Sequence, residues 1–267
     1  MKIAIIGCGN MGMAFARAFL KFDLVKKEDF LLVEKSPERM ESLQSFQPGV
    51  LTGIIGPQIG TYDLVILSVK PQDYALVQQS LREVIQPTQV VFSIMAGIPI
   101  QTIQNGLNHQ AVIRAMPNTP AMLGMGITAY AASPQVDRSQ LRRVENLINA
   151  TGRSVFLEDE SQLDAVTALS GSGPAYFFYV VKAMIEAGKQ MGFEESVASL
   201  LVKQTMLGSY HLINNADRSL DELIKAVASK GGTTEAALRR FEEGQLSDAL
   251  IQGIHAAQQR ATELSQG

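Results

Sequence analysis

The stretch Lys2-Ile3-Ala4-Ile5-Ile6-Gly7-Cys8-Gly9-Asn10-Met11-Gly12 constrains the fold more than any other part of the chain. Ile3 to Ile6 is a short apolar run, the pattern of a strand buried on both faces. Three glycines follow at G-x-G-x-x-G spacing. Gly7 permits a tight turn, Gly9 lets the backbone approach a pyrophosphate, and Gly12 lets the next helix pack closely on the strand. From Met11 to Leu20 the chain reads as a helix with Met11, Ala14, Phe15, Ala18 and Phe19 on one stripe. The free N–H groups and the dipole at its start favour an anion. A strand before and a helix after are the context such a turn needs, so Gly7, Cys8, Gly9, Asn10, Met11 and Gly12 are expected to cradle a dinucleotide.

The following residues extend the same architecture. Phe30-Leu31-Leu32-Val33 reads as a second buried strand, and Glu34 ends it 22 residues after Gly12. An acid there suits the ribose hydroxyls of NAD. Lys35 and Ser36 follow at once, and a cation with a hydroxyl suits the 2′-phosphate of NADP. The same residues also read as a helix start, with Ser36 as N-cap, Pro37 first and Glu38 in the first turn. The choice between NADPH and NADH stays open at this point. Leu64–Leu67, Val90–Ile94 and Ala111–Arg114 read as further strands, separated by helices over Gln72–Glu83 and Ile100–Leu107. Strands alternating with helices imply right-handed crossovers and a mostly parallel sheet. Ligands of such sheets lie beyond the carboxyl ends of the strands. Ser68, Val69, Lys70, Pro71, Met95, Ala96, Gly97 and Asn118 fall at those ends and are cofactor candidates. Gly126–Ala132 and Gly152–Leu157, flanking a helix over Asp137–Ala150, complete a Rossmann-like α/β domain over residues 1–159.

Residues 160–267 read as helices only: Pro174–Gln190, Glu194–Ile213, Ser219–Val227, Thr234–Glu243 and Ser247–Leu264. The Pro174 helix carries Tyr176, Phe177, Phe178, Val180, Val181, Met184 and Ile185, too much apolar surface for a helix with one solvated face. It is expected to pack on another subunit, making this half an all-helical dimerisation domain.

Composition excludes several classes. The chain has 267 residues, 23 basic and 26 acidic side chains and a net charge of −3, so nucleic acid and anionic membrane surfaces are not expected partners. No apolar run approaches the ~20 residues of a membrane span. Cys8 is the only cysteine, which rules out an intrachain disulfide. Without a signal peptide, this fits a cytoplasmic protein. His109, His211 and His255 lack metal-ligand spacing. They read as surface or capping residues, and no metal is expected.

Two stretches in the helical half point to chemistry. One is Thr167-Ala168-Leu169-Ser170-Gly171-Ser172-Gly173-Pro174-Ala175-Tyr176. The other is Ser229-Lys230-Gly231-Gly232-Thr233-Thr234, which opens a helix. Glycines and hydroxyls at a helix start make a carboxylate site; equally, Thr233 or Thr234 could be a plain N-cap. With Gly7–Gly12, Val69-Lys70-Pro71-Gln72, Ser93-Ile94-Met95-Ala96-Gly97, Arg114-Ala115-Met116-Pro117-Asn118-Thr119-Pro120-Ala121 and Asp164–Tyr176, these runs resemble the pyrroline-5-carboxylate reductase family, in its order, over nearly the whole chain. The resemblance implies a Rossmann domain, a helical domain that interleaves with a partner, homodimers that assemble into a decamer, and reduction of a cyclic imine by NADPH or NADH. It also implies an active site between the dinucleotide domain and a helical domain, that of the partner. In this reading Ser229, Gly231, Gly232, Thr233 and Thr234 hold the substrate carboxylate, and Glu160 lies near the substrate. Thr234 is the residue nearest the ring nitrogen and the catalytic candidate, relaying a proton with water.

The chain departs from the family at three places. Lys230 stands where the family has proline, Ile54-Ile55-Gly56 lacks the usual asparagine, and Gln245-Leu246-Ser247-Asp248 replaces the pattern before the last helix. Two rivals bear on these residues. A β-hydroxyacid dehydrogenase would need asparagine four residues after Lys182, where Glu186 stands. A non-catalytic NADP-binding relative would make Lys230 the mark of a repurposed site.

Overall fold

The computed structural model describes residues 1–44 and 49–266. It forms two compact units, Met1–Pro174 with Ala257–Gly267, and Ala175–Ala256. The first continues past residue 159 and takes back the end of the chain.

The first unit is built on an eight-stranded sheet. Its strands are β1 (Ile3–Ile6), β2 (Phe30–Val33), β3 (Val50–Thr52), β4 (Leu64–Leu67), β5 (Val90–Ser93), β6 (Val112–Met116), β7 (Gly126–Ala132) and β8 (Gly152–Phe156). They lie in the order β3-β2-β1-β4-β5-β6-β7-β8. From β1 the chain winds outward to β2 and β3, then returns to pair β4 against the other side of β1. The order therefore reverses between β1 and β4, the crevice where open α/β sheets bind ligands.

Both faces of the sheet are covered, which is why its strands are apolar without alternation. Ile3, Ile5, Phe30, Leu32, Leu64 and Ile66 pack on one side with Phe15, Phe19 and Phe92. Phe15 meets Phe19 and Phe92 edge-on, at 5.7 and 5.9 Å between ring centres. Ala4, Ile6, Leu31, Val33, Val65 and Leu67 pack on the other with Ile103 and Leu107. The helices of this layer are α1 (Asn10–Lys21), α2 (Pro37–Gln44), α3 (Tyr74–Arg82), α4 (Ile100–Leu107) and α5 (Arg138–Asn149). A capping box starts α5: the Asp137 carboxylate accepts the Gln140 amide at 2.8 Å, and the Gln140 side chain accepts the Asp137 amide at 2.9 Å.

The sheet matches the α/β expectation with two differences. β3 is an added strand, three residues long with Val50 exposed, too short to show a period. β7 runs antiparallel to β6. The chain between them holds one short 3₁₀ turn, Thr119–Leu123, and antiparallel neighbours need no crossover helix. The crossover through α5 then sets β8 parallel to β7.

The rest of the chain is helical: α6 (Gln162–Val166), α7 (Gly173–Gln190), α8 (Glu195–Asn215), α9 (Leu220–Val227), α10 (Thr233–Glu243) and α11 (Leu246–Gln266). A π-helical turn, Thr167–Gly171, joins α6 to α7 and overlaps the Ser170-Gly171-Ser172 run. In the second unit α8 crosses α7 closely enough that a Cβ on Gly188 would lie 2.8 Å from that of Ala198. Yet Phe177, Phe178, Tyr179, Leu200, Met206 and Tyr210 remain exposed. Such a width of exposed apolar surface marks an interaction face. Among the described residues no helix is long and apolar enough to cross a membrane.

His109 corrects an expectation. It is buried, not at the surface, with Nε2 2.9 Å from the Gln89 carbonyl oxygen. Burial pushes its pKa below the ordinary 6.5, against the opposing effect of bonds to the Gln89 and Ala111 backbone. A lowered folded pKa means that below about pH 6.5 the unfolded chain takes up a proton the folded one refuses. The wild type is therefore expected to lose stability from pH 6.5 downward more steeply than His109→Gln. Urea midpoints measured across that window check this.

Candidate functional site

The cofactor candidates of the first unit that follow β1, β2 and β4 lie at the carboxyl ends of three adjacent strands, and the rest follow β5 and β6. Gly7 donates its N–H to Val33 at 2.9 Å, and Ser68 donates to Ile6 at 2.9 Å. Gly7 has φ +94°, and a Cβ there would meet the Ser68 backbone at 2.7 Å. A Cβ on Gly12 would lie 2.3 Å from the Gly7 carbonyl oxygen. These two glycines therefore shape the turn and seat α1 on β1. Gly9 differs: the nearest atom to a Cβ there is Nη1 of Arg39, at 3.7 Å. The backbone at Gly9 is bare on the side a pyrophosphate would approach, and no side chain caps α1. The turn fits a dinucleotide.

The turn after β2 is held by Glu34. It is 5% exposed, and its carboxylate accepts the amides of Cys8 at 3.1 Å and Ser36 at 2.9 Å. Glu34 thus ties the glycine turn to the start of α2. Lys35 reaches out to Asp73, at 2.9 Å. Ser36 caps α2, its hydroxyl accepting the Arg39 amide at 3.4 Å. Arg39 and Asp73 were not evident from the sequence. Arg39 could have been found as the residue one turn into the helix that starts beside the glycine turn; nothing in the pattern marks Asp73. The Cys8 thiol donates to the Val33 carbonyl at 3.7 Å. Burial first, then the charge of Glu34, push its pKa up to about 12, so it stays a thiol and a structural group at neutral pH.

Further along the sheet, Met95 is buried, its amide held by the Ser93 hydroxyl at 3.3 Å. Gly97, at φ +71°, closes the turn after β5. Asn118 braces its loop: its carbonyl accepts the Ile127 amide at 3.0 Å and its amide donates to the Ser170 hydroxyl at 3.4 Å. Lys70 and Pro71 start the 3₁₀ turn that carries Asp73.

Glu160 sits at a buried ion cluster. Arg114, 4% exposed in the middle of β6, donates to Glu160 at 3.0 Å and to Asp164 at 3.1 Å. The same Glu160 oxygen accepts the Ile100 amide at 2.8 Å. Ser265, near the end of α11, donates to the second Asp164 oxygen at 2.9 Å. The cluster ties β6, α4, α6 and the end of α11 together. Sequence reasoning named Glu160 alone. Arg114 and Asp164 are single charges within otherwise apolar runs, a signal of a buried pair.

The second unit carries Ser229–Thr234. Gly231 has φ +72°, and Gly232 donates to the Ser229 carbonyl at 2.9 Å. The N-cap of α10 is Gly232, with no side-chain cap. Neither threonine is therefore consumed as the cap, and the first amides of the helix lack intrahelical partners. Glu235 accepts the Gly231 amide at 2.6 Å. Lys230 is exposed. Among the described residues no group of three or more His, Cys, Asp and Glu is placed to hold a metal ion.

Comparison with known proteins gives a consistent result. A family model for pyrroline-5-carboxylate reductase dimerisation matches residues 160–264, and one for coenzyme F420-dependent NADP oxidoreductases matches residues 2–97. The pyrroline-5-carboxylate reductase of Pseudomonas aeruginosa is 36% identical over 266 residues, covering 99% of this chain and 97% of that protein. That of Synechocystis is 33% identical, covering 99% and 98%. Among solved structures, the Coxiella burnetii enzyme is 32% identical and superposes with a TM-score of 0.88 over 99% of this chain and 98% of its own. The Plasmodium falciparum pyrroline carboxylate reductase with NADP bound shares the fold at a TM-score of 0.89 and 23% identity, covering 99% and 98%. On these grounds the chain belongs to the pyrroline-5-carboxylate reductase family.

Proposed function

We propose that this chain is an NADPH-dependent reductase of 1-pyrroline-5-carboxylate, forming L-proline as the last step of proline biosynthesis. One observation carries the reading beyond family membership. The Gly232–Thr234 helix start, uncapped by any side chain, occurs in a chain whose first unit holds a bare glycine turn at its sheet's switch point.

The substrate is a five-membered cyclic imine with one carboxylate. Its protonated form is already a good electrophile, so the protein has mainly to orient two molecules. Bound NADPH supplies the hydride that adds to the imine carbon; with the nitrogen protonated, the product is the secondary amine. Gly7–Gly12 hold the pyrophosphate, and Glu34, Lys35 and Ser36 form the adenosine turn. Ser68, Val69, Lys70, Pro71, Met95, Ala96, Gly97 and Asn118 line the remaining strand ends. Ser229, Gly231, Gly232, Thr233 and Thr234 form the substrate carboxylate site, the hydroxyls and the Thr233 and Thr234 amides being the donors not already bonded to Glu235 or Ser229, and Glu160 lies near the ring. Thr234, half-buried at the helix start, keeps the ring nitrogen protonated through a water. The division of labour follows residues 1–159 for the dinucleotide and 160–267 for dimerisation and substrate. The exposed faces of α7 and α8 are covered by a second copy; dimers assemble into a decamer, and the enzyme works in the cytoplasm.

Thr234→Ala is the direct test. Losing a hydrogen bond to a charged group costs about 1.5–3 kcal/mol, so kcat/KM with pyrroline-5-carboxylate should fall by about tenfold or more. Thr234→Ser should retain most of the activity, and NADPH affinity should not change. Activity unaffected by Thr234→Ala would remove that residue from the mechanism. A wild type that binds NADPH but never oxidises it with the imine would favour a binding protein, with Lys230 at a repurposed site.

A further inference from the structure

The turn after β2 holds two opposite charges on different loops. Lys35 follows Glu34 at the end of β2, and Asp73 ends the 3₁₀ turn after β4. Their side chains meet at 2.9 Å, with Lys35 71% and Asp73 32% exposed. Both loops flank β1, whose glycine turn lies between them in the strand order. The Glu34 carboxylate is occupied by the Cys8 and Ser36 amides. It braces the turn from below, and its burial keeps it from being a free partner for ribose hydroxyls. Lys35, Ser36 and Arg39 are what remain on this turn to recognise an adenosine substituent. A 2′-phosphate would need Lys35, and Asp73 already holds it.

We propose that Asp73 sets the cofactor preference of this site by competing with the 2′-phosphate for the Lys35 ammonium. With Asp73 present, a dinucleotide phosphate must displace the carboxylate from the ammonium or share it. A dinucleotide without the phosphate does not meet this obstacle. Asp73 therefore narrows the gap between NADPH and NADH, and its removal widens it. Lys35 is the group through which Asp73 acts. This inference rests on the dinucleotide reading of the glycine turn.

The test is direct binding, read by the change in nicotinamide fluorescence, of NADPH and NADH to wild type, Asp73→Asn, Lys35→Met and the double variant. Lys35 is exposed and the half-buried Asp73 makes no side-chain cap to α3, so both substitutions leave the fold intact. An exposed ion pair carries a modest free energy, so Asp73→Asn should raise the ratio of the NADH to the NADPH dissociation constant by about three- to fivefold. Lys35→Met should lower that ratio. In the Lys35→Met background, Asp73→Asn should leave it unchanged. An unchanged ratio in Asp73→Asn alone overturns the proposal, and so does an undiminished rise without Lys35. If neither nucleotide binds the wild type, the dinucleotide reading fails and the proposal falls with it. If both bind and only the ratio fails to move, the proposal falls alone.

Discussion

Arg114→Met is expected to destabilise the first unit by about 3–5 kcal/mol, the usual cost of removing one member of a buried ion pair. The guanidinium is the cation that bonds both Glu160 and Asp164. Methionine matches its length and apolar stem but leaves two carboxylates facing each other across the cluster. The Ile100 amide and the Ser265 hydroxyl would still bond them, yet neither carries a charge. The loss should exceed that from Ser265→Ala, which removes one neutral donor worth about 1 kcal/mol. Urea unfolding of both variants measures the difference. Equal midpoint shifts would show that the cluster is held by its hydrogen bonds and not by the guanidinium charge.

Gly12→Ala should cost both stability and cofactor affinity. A methyl group there would sit 2.3 Å from the Gly7 carbonyl and 2.9 Å from the Ser68 hydroxyl. The first of these is backbone and cannot rotate away, so α1 must retreat from β1. Overpacking of this kind costs about 1–3 kcal/mol. The retreat also moves the helix start that addresses the phosphates. A misplacement of about 1 Å can cost a hundredfold in rate, so turnover should fall by about that much, and NADPH affinity should fall with it. Gly9→Ala, whose methyl would meet nothing closer than Arg39 at 3.7 Å, should fold normally and lose affinity only through crowding of the ligand. Isothermal titration with NADPH, beside thermal unfolding, separates the two variants. Equal stability losses would contradict the distinct roles given to Gly7 and Gly12 on one side and Gly9 on the other.

The sheet was legible because parallel strands covered on both faces are apolar at every position, as in Ile3–Ile6 and Leu64–Leu67. β3 was not, because three half-exposed residues carry no such pattern. The direction of β7 was also invisible. It follows from the short 3₁₀ connection at Thr119–Leu123, whose sequence resembles any loop. The burial of His109 is not visible in the sequence because the polar run Asn108-His109-Gln110 looks like a loop tip, whereas the ring is buried against the Gln89 carbonyl. At the site, the glycines announced themselves through spacing. The charges did not, because each found its partner far along the chain: Lys35 with Asp73, and Arg114 with Glu160 and Asp164. Pairings of that kind depend on strand order, which a local pattern does not encode. The helix start at Thr233 was legible as a carboxylate site or as a cap. The structure gives the N-cap to Gly232, which removes the threonine cap and leaves the carboxylate site as the proposal.

The central claim is hydride transfer to a cyclic imine carrying a carboxylate. The most direct measurement is to supply the protein with pyrroline-5-carboxylate and NADPH deuterated at the transferable position, then analyse the product by chiral separation and mass. The account predicts L-proline carrying one deuterium, formed in proportion to NADPH consumed and diminished in Thr234→Ala. No proline, or proline without the label, from protein that binds NADPH would contradict it.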